Sequence, residues 1–247
     1  MQIIKKGMAW FKDWFNSPYY HLLYSNRDES EAQKFINNIH SELNLNSIKI
    51  LDLACGKGRH SQTLNQLGHN VTGIDLSEES IKFAKKNENN SLTFYVHDMR
   101  IPFIENEFDL IVNLFTSFGY FDDKNDNLMT LNSVYYSLKK NGLFIQDYFN
   151  SNYVIKHLIP ENSIELNGIL FTITKTVDNN TLIKTIEIND KGTKEKYQER
   201  VDLLTLENFE HLYHQSNLNT LKLWGDYNLN SFNQETSERL IILSQKQ

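Results

Sequence analysis

The sequence contains only one cysteine and no long apolar run, and each absence excludes a class of protein. The single cysteine, Cys55, among 247 residues excludes an internal disulfide framework and a zinc cluster built on thiolates. No apolar run approaches the roughly eighteen residues of a membrane-spanning helix. The first residues also lack an apolar signal-peptide core, because Lys12 and Asp13 interrupt it. We therefore expect a cytoplasmic protein without a membrane span.

Positive charge is also scarce, with 25 Lys and Arg against 31 Asp and Glu and a formal net charge of −6. Proteins that displace counterions from phosphates cluster Lys and Arg, so we expect no nucleic-acid partner. Hydrophobic residues make up 40% of the chain and aromatic residues 12%, which is enough for a sizeable core. The length fits one α/β domain with an elaboration.

Short apolar runs typical of buried strands alternate with helical patterns up to residue 149. This alternation predicts a parallel sheet with right-handed crossovers and helices on both faces. After Asn150 the pattern changes to alternating apolar and polar residues separated by turn signals, which predicts an antiparallel meander. The predicted strands are residues 48–53, 71–75, 92–96, 108–114, 143–149, 171–177, 182–188, 194–203, 218–224 and 239–244.

The segment between the first predicted strand and its helix reads Leu51-Asp-Leu-Ala-Cys-Gly-Lys-Gly-Arg-His60. Its glycines, Gly56 and Gly58, allow a ligand to approach the backbone, where free helix N–H groups are donors. A Walker-type loop is excluded, because no Gly-Lys-Ser/Thr follows at the required spacing. A dinucleotide fits poorly, since Ser61 occupies the third-glycine position and Asp52 would repel a pyrophosphate. S-adenosylmethionine carries no phosphate, and its ammonium and sulfonium suit a carboxylate, so it is the favoured ligand.

Two further acids follow the second and third predicted strands. Asp75 comes 23 residues after Asp52, where a carboxylate can accept both hydroxyls of a ribose. Asp98 can accept a hydrogen bond from the adenine amino group, while Met99 offers a backbone N–H. A single acid at a strand end is often only a helix cap. Three acids at successive carboxyl ends, however, converge on the crevice in which parallel sheets bind ligands.

Four ordered segments resemble class I S-adenosylmethionine-dependent methyltransferases. They are the loop at 51–60, Gly73-Ile-Asp-Leu-Ser77, His97-Asp-Met-Arg100 and the stretch at 108–121. The resemblance covers about residues 45–150 and implies an α/β fold with a Rossmann-like, seven-stranded, mostly parallel sheet whose last strand is antiparallel. Ala54 departs from the pattern, since many members carry a glycine there.

Two shorter similarities point within this class to enzymes that act on small molecules. The Asp-Met-Arg segment at 98–100 and the Ser-Phe-Gly-Tyr segment at 117–120 are similar to those of the amino-sugar N,N-dimethyltransferases. Leu23-Tyr24 is similar to the N-terminal segment of glycine N-methyltransferase-like enzymes, which implies that Tyr24 reaches the cofactor carboxylate or, alternatively, packs a helix. Arg27 is a weaker candidate for the same carboxylate.

We accordingly expect four regions along the chain. Residues 1–44 form an N-terminal helical segment over the cofactor site, and residues 45–150 form the S-adenosylmethionine-binding core. Residues 151–204 form an inserted antiparallel β layer, which serves as a lid or a dimer surface. Residues 205–247 supply a helix and the closing strands of the core.

The expected reaction is in-line methyl transfer to an N or O atom of a small molecule, with S-adenosylhomocysteine as product and no metal. The stretch Asn113-Leu-Phe-Thr116 differs from the Asn/Asp-Pro-Pro-Tyr/Phe motif of adenine and glutamine methyltransferases. Two alternatives stay open: a non-catalytic sensor of S-adenosylmethionine and, disfavoured by Asp52 and Ser61, a nicotinamide-dependent oxidoreductase. The protein is expected to be a monomer or a homodimer.

The candidate catalytic residues are Asp147 and Tyr120. Asp147 either orients an amine or takes its proton, or it is a buried carboxylate held by local N–H donors. The candidate cofactor-binding residues are Tyr24, Asp52, Ala54, Cys55, Gly56, Gly58, Asp75, Leu76, Asp98, Met99, Asn113 and Leu114. The candidate substrate-pocket residues are Tyr19, Tyr20, His60, Phe115, Thr116, Phe118 and Tyr148, although the aromatic ones among them are also typical of a core.

Overall fold

The computed structural model describes residues 10–24 and 29–247, which belong to two compact units. Of the described residues, the core unit comprises 29–157 and 204–247, and the β unit comprises 10–24 and 158–203. In chain order the elements are α1 (Trp10–Phe15), α2 (Pro18–Leu23), α3 (Glu29–Glu42), β1 (Lys49–Leu53), α4 (Arg59–Gln66), β2 (Asn70–Asp75), α5 (Glu78–Ala84), a 3₁₀ turn (Lys85–Asn87), β3 (Leu92–Val96), β4 (Phe108–Asn113), α6 (Asn125–Ser137), β5 (Leu138–Phe149), α7 (Ser151–Lys156), β6 (Glu161–Leu166), β7 (Ile169–Asp178), β8 (Thr181–Asp190), β9 (Thr193–Asp202), α8 (Leu206–Gln215), β10 (Leu218–Trp224) and β11 (Arg239–Lys246).

The core unit is built on a seven-stranded sheet with the strand order β10-β11-β5-β4-β1-β2-β3. Strands β1 to β5 pair in parallel, whereas β11 lies antiparallel to both β5 and β10. The predicted α/β fold with a mostly parallel sheet and a reversed last strand is confirmed. β1 and β4 are buried along nearly their whole length, as expected for strands covered on both faces.

Local sequence signals explain how the helices next to this sheet begin and end. Ser77 is the N-cap of α5, because its side chain accepts a hydrogen bond from the backbone N–H of Ser80. Gly68 follows α4 with φ of +92°, a left-handed conformation that glycine adopts without steric cost. Helix α3 buries Phe35, Ile36 and others of its apolar side chains in the core of the unit.

The structure differs from the sequence-based expectation around β5. This strand begins at Leu138 and not at residue 143, the predicted start. Asn141 has φ of +61°, and the β4–β5 register shifts between Phe108 and Leu110. Asn141 and Gly142 therefore lie within an irregular strand and do not form a separate connection.

The β unit contains an antiparallel sheet with the order β6-β7-β8-β9, together with α1 and α2. The predicted meander corresponds to β7, β8 and β9, and β6 was not predicted because its side chains are almost all exposed and show no apolar face. Trp14, Phe171 and Ile186 are fully buried in the core of this unit. Within residues 10–24 and 29–247, no helix has both the length and the apolar character needed to cross a membrane.

A pair of histidines joins α3 to the residue that precedes β2. His40 on α3 lies with its Nδ1 3.1 Å from Nε2 of His69, and the backbone N–H of Ile48 donates to Nδ1 of His69 at 3.3 Å. Because Nδ1 of His69 accepts a hydrogen bond from Ile48, its Nε2 is the nitrogen that donates to His40, as in a neutral imidazole. Burial, and secondarily the neighbouring His40, lowers the pKa of His69 below its usual value.

This pair predicts that acid destabilises the protein. As the pH falls below about 6.5, the unfolded chain takes up a proton that folded His69 resists, so the free energy of unfolding decreases. Urea unfolding of His69→Gln between pH 8 and pH 5 should therefore show a weaker pH dependence than the wild type. His211→Gln changes an exposed histidine on α8 and should keep the wild-type slope. Equal slopes for wild type and His69→Gln would contradict the assignment.

Candidate functional site

The loop between β1 and α4 combines an open glycine with a packed one. Ala54, Gly56 and Gly58 all have left-handed φ values, of +59°, +56° and +79°. A Cβ placed on Gly56 would meet no atom within 4 Å, whereas one on Gly58 would lie 2.6 Å from the Phe94 ring. Gly56 thus presents open backbone to a ligand, while Gly58 lets the helix pack closely on the sheet. Ala54 adopts the left-handed conformation at a cost of about 1–2 kcal/mol.

Asp75, the last residue of β2, ties this loop to the sheet. Its Oδ2 accepts a hydrogen bond from the backbone N–H of Gly56 at 2.8 Å, and its Oδ1 accepts one from Ser77 at 2.8 Å. Burial raises the pKa of this carboxyl, against the opposing effect of the backbone donors, which include Leu76. A carboxylate has about four lone-pair sites, and the three backbone donors leave one of them for a ligand hydroxyl.

Asp52 lies behind the loop and is only 1% exposed. Its Oδ2 accepts a hydrogen bond from the hydroxyl of Ser61 at 2.5 Å. Burial raises the pKa of Asp52 to about 7, although the Ser61 bond lowers it. The carboxyl is therefore poised to ionise near neutral pH, and a cation beside it would favour the charged form. Sequence reasoning treated Ser61 only as a missing glycine and did not identify it as the partner of Asp52.

Cys55 points its side chain into the core. Burial raises the pKa of its thiol, and a Cβ on Gly73 would lie 2.9 Å from its Sγ. Its backbone N–H donates to the carbonyl of Ile74 at 3.0 Å. A thiol in this state is unreactive, so only the backbone of Cys55 is available to shape the loop.

The carboxylate of Asp98 is occupied by a neighbouring arginine. Nε of Arg100 donates to its Oδ1 at 3.0 Å and Nη2 donates to its Oδ2 at 2.6 Å, while Nη1 pairs with Asp126 at 2.6 Å. Burial raises the pKa of Asp98, but the hydrogen bonds from Arg100 lower it by more. The pKa of Asp98 therefore lies below its usual value. Met99 lies between these two residues, in a turn. An adenine amino group would have to share the Asp98 oxygens with Arg100.

Asn113 and Leu114 end β4 inside the core unit. The Asn113 amide donates to the carbonyl of Leu53 at 2.9 Å and accepts from the Gln146 amide at 2.9 Å. Gln146 in turn accepts a hydrogen bond from Tyr213 at 3.3 Å. Asn113 therefore bridges three adjacent strands, and Leu114 is buried in the apolar core.

The next two residues form a turn with unusual backbone geometry. Phe115 and Thr116 have φ values of +57° and +58°. The backbone N–H of Phe115 donates to Oδ2 of Asp147 at 2.8 Å, and that of Thr116 donates to the Asp147 carbonyl at 3.1 Å. The Thr116 hydroxyl accepts from the N–H of Phe149 at 3.1 Å. The turn is thus held by the end of β5.

Asp147 is fully buried and paired with Arg239 of β11. Nε of Arg239 donates to its Oδ1 at 2.8 Å, and the hydroxyl of Tyr227 donates to its Oδ2 at 3.2 Å. With Phe115 as a further donor, the carboxylate is held by local donors, one of the two interpretations left open by the sequence. Tyr120 is partly exposed in the segment that follows the turn.

An aromatic cluster surrounds the Phe115 ring. The guanidinium of Arg59 lies 4.0 Å from its centre, the His60 ring 5.0 Å and the Tyr227 ring 5.2 Å. Because Arg59 and His60 begin α4, this cluster joins the end of β4 to the glycine loop. His60 is nearly buried, so the sequence-predicted residues His60 and Phe115 do come together.

Two residues predicted for the substrate pocket lie in the core unit. Phe118 and Tyr148 are fully buried and both pack against the ring of Phe209 on α8. Their burial is typical of core side chains, and their role in a substrate pocket stays a prediction. An apolar aromatic residue at a strand end gives the same sequence pattern in either role.

The three predicted tyrosines of the N-terminal segment belong to the β unit. Tyr19 donates to Asp190 at 3.1 Å, and Tyr24 donates to Glu199 at 2.6 Å. Tyr20 packs its ring against that of Tyr24. Arg27 lies outside the described residues.

Comparisons with known proteins agree on one family. Residues 50–142 match the family model described as a methyltransferase domain. The chain is 39% identical over 118 residues to the putative methyltransferase YqeM of Bacillus subtilis, a match that covers 47% of each chain. The chain thus spans about half the length of this curated relative.

Solved structures show the same fold at low sequence identity. A S-adenosylmethionine-dependent methyltransferase from Clostridium acetobutylicum aligns with a TM-score of 0.77 and 22% identity, over 92% of this chain and 96% of its own. CalS10, an amino pentose methyltransferase from Micromonospora echinaspora, aligns with a TM-score of 0.69 and 14% identity, over 94% and 98%. Residues 50–142 of this chain therefore match a methyltransferase domain, and the chain shares its fold with S-adenosylmethionine-dependent methyltransferases.

Proposed function

We propose that the protein transfers a methyl group from S-adenosylmethionine to an N or O atom of a small molecule. The observation that carries the proposal is the hydrogen bond between the N–H of Gly56 and Asp75. It brings an open glycine backbone and a partly satisfied carboxylate together at the carboxyl edge of the sheet, within the matched methyltransferase domain. Parallel α/β sheets bind their ligands at this edge.

The residues present fit the cofactor in both shape and charge. Asp75 would accept a ribose hydroxyl with its remaining lone pair, and the open face of Gly56 would admit the ligand close to the backbone. Asp52 would supply negative charge to the ammonium and sulfonium groups. Met99 would offer its backbone N–H to the adenine, while the Asp98–Arg100 pair fixes the turn that carries it.

When bound, the cofactor supplies a methyl carbon on a cationic sulfur, which an acceptor N or O attacks in line as the carbon–sulfur bond breaks. The chain's own residues have to align the acceptor and exclude water. Phe115, His60 and Tyr120 are the side chains that we propose for the acceptor side. Asp147 already accepts from Arg239, Phe115 and Tyr227, so we assign it to positioning and not to proton removal.

Two observations favour a small acceptor molecule: the charge of the chain and its similarity to other enzymes. The chain has a net charge of −6, which disfavours polyanionic acceptors. One of the proteins that share its fold is named as an amino pentose methyltransferase, and the segments at 98–100 and 117–120 resemble such enzymes. An amine on a sugar-sized molecule is therefore the first acceptor to test.

Replacing Asp75 should weaken cofactor binding. Asp75→Asn removes the charge that holds both the loop and the proposed ribose, so calorimetry with S-adenosylhomocysteine should show at least a tenfold loss of affinity, about 1.4 kcal/mol. Asp109→Asn is the matched control, because Asp109 also accepts a backbone N–H, from Lys49 at 2.9 Å, but near the amino end of β4. Equal affinities for the two variants would contradict the assignment of Asp75.

The raised pKa of Asp52 predicts a pH-dependent affinity. Because the carboxyl titrates near pH 7 and the ammonium of the ligand favours its charged form, affinity for S-adenosylhomocysteine should rise from pH 6 to pH 8. Below the pKa of Asp52, this affinity should change by at most about tenfold per pH unit. Asp52→Asn should bind more weakly above pH 7 and lose this dependence.

The raised pKa of Asp52 also makes the stability of the folded protein depend on pH. In the ligand-free protein the folded pKa lies above the unfolded one, so charging Asp52 costs stability as the pH rises from about 4 through 7. Asp52→Asn should therefore gain stability relative to the wild type toward pH 8. An unchanged pH profile for both affinity and stability in Asp52→Asn would show that this carboxyl does not titrate in the folded protein.

Activity itself is tested by release of S-adenosylhomocysteine from S-adenosylmethionine in the presence of a panel of amino sugars, amino acids and hydroxylated small molecules. We expect turnover with at least one acceptor. Tight binding with no turnover on the whole panel would favour the sensor, and binding of NAD(H) in place of S-adenosylhomocysteine would favour the oxidoreductase.

A further inference from the structure

The turn after β4 is in a conformation that its residues do not favour. Phe115 and Thr116 are consecutive non-glycine residues with φ near +57°. Left-handed backbone is uncommon for side chains other than glycine, asparagine and aspartate, and it is a genuine outlier for a β-branched residue such as Thr116. Such residues persist only where the surrounding structure holds them, and they concentrate at functional sites.

The contacts that hold this turn converge on one carboxylate and one guanidinium. Asp147 accepts the Phe115 N–H with its side chain and the Thr116 N–H with its carbonyl, at 2.8 and 3.1 Å. Arg239 contacts both Asp147 and Thr116. Its Nη2 lies 2.7 Å from Oδ1 of Asp147 and donates to Oγ1 of Thr116 at 3.0 Å.

The reversed strand explains why an arginine can reach this place. β11 runs antiparallel to β5, with Arg239 opposite Phe149, so the first residue of β11 lies beside the carboxyl end of β5. The Asp147 side chain is fully buried and that of Arg239 is 18% exposed. In this position the planar fork of an arginine contacts two acceptors at once, which the point charge of a lysine does less well.

The turn sets the direction of the Phe115 ring. The Phe115 ring packs against the ring of Tyr227. It also packs against His60 and Arg59, which are the first residues of α4. These residues follow directly after the glycine loop. The position of the ring relative to the loop therefore depends on the backbone of Phe115, and hence on the contacts of Arg239.

We propose that Arg239 is a positioning residue of the methyl-transfer site, which holds the Phe115–Thr116 turn in its left-handed conformation and thereby fixes the Phe115 ring beside the glycine loop. The inference rests on the proposed methyltransferase function. Arg239 acts through Asp147 and Thr116, without contact with the reacting atoms.

A purely structural role would look different in a matched pair of variants. Lys246 lies at the other end of β11, is 8% exposed, and donates to Asn106 at 2.9 Å and to the Leu138 carbonyl at 2.7 Å. Lys246→Gln therefore removes a comparably buried cation from the same strand but leaves the turn intact. Arg239→Gln removes the charged contacts with Thr116 and Asp147. Arg239→Lys keeps the positive charge but lacks the planar guanidinium that contacts both acceptors.

The test is amide hydrogen exchange of the full-length protein, read at Phe115 and Thr116 relative to Leu51 in β1. We expect Arg239→Gln to speed exchange of both amides at least tenfold, Arg239→Lys to have a smaller effect, and Lys246→Gln to have none. If Arg239→Gln does not fold, Arg239→Lys alone is compared with Lys246→Gln. Exchange in the Arg239 variants within threefold of Lys246→Gln would overturn the positioning role.

Kinetics separates this inference from the proposed function. With an acceptor from the panel, both Arg239 variants should lower kcat at least tenfold while the affinity for S-adenosylhomocysteine stays within threefold of the wild type. An unchanged kcat would overturn the inference. A wild type that binds S-adenosylhomocysteine but never transfers a methyl group would contradict the proposed function, and with it the role of Arg239 in methyl transfer, whatever the exchange rates show.

Discussion

The buried ion pair between Asp147 and Arg239 connects the reversed strand of the sheet to the turn after β4. Taking two charges out of water is costly, and a buried pair is stable only when its remaining hydrogen-bond sites are filled. Phe115, Thr116 and Tyr227 fill them. Removal of one partner of a buried pair costs about 3–5 kcal/mol. Because Asp147 holds the turn and Arg239 belongs to β11, loss of either side chain would affect both the turn and the packing of β11 on the sheet.

The carboxyl edge of the core sheet carries acids in distinct electrostatic states. Asp52 is buried with a pKa of about 7, Asp75 is held by backbone donors, and Asp98 and Asp147 are neutralised by arginines. Asp52 and Asp75 are instead held by hydroxyl and backbone N–H donors. This pattern disfavours a phosphate and is suited to a ligand with positive charge and hydroxyl groups, which is the chemistry of S-adenosylmethionine.

The sheet and the glycine loop could be predicted from sequence because their signals are local. Apolar runs, the Gly56–Gly58 spacing and acids at strand ends are all visible within a few residues. The Asp147–Arg239 contact joins residues 92 positions apart, and only the antiparallel pairing of β11 brings them together. β6 was not predicted because it has no apolar face. A buried aromatic residue such as Phe118 gives the same sequence pattern in a core as in a pocket wall, so the sequence does not separate the two roles.

The most direct test of the central claim is a crystal structure with S-adenosylhomocysteine bound. We predict that a ribose hydroxyl lies within hydrogen-bond distance of Asp75, that the ligand passes the open face of Gly56, and that its sulfur faces the side of the site formed by Phe115. Ligand bound away from the loop at 54–58, or no ligand at saturating concentration, would contradict the account.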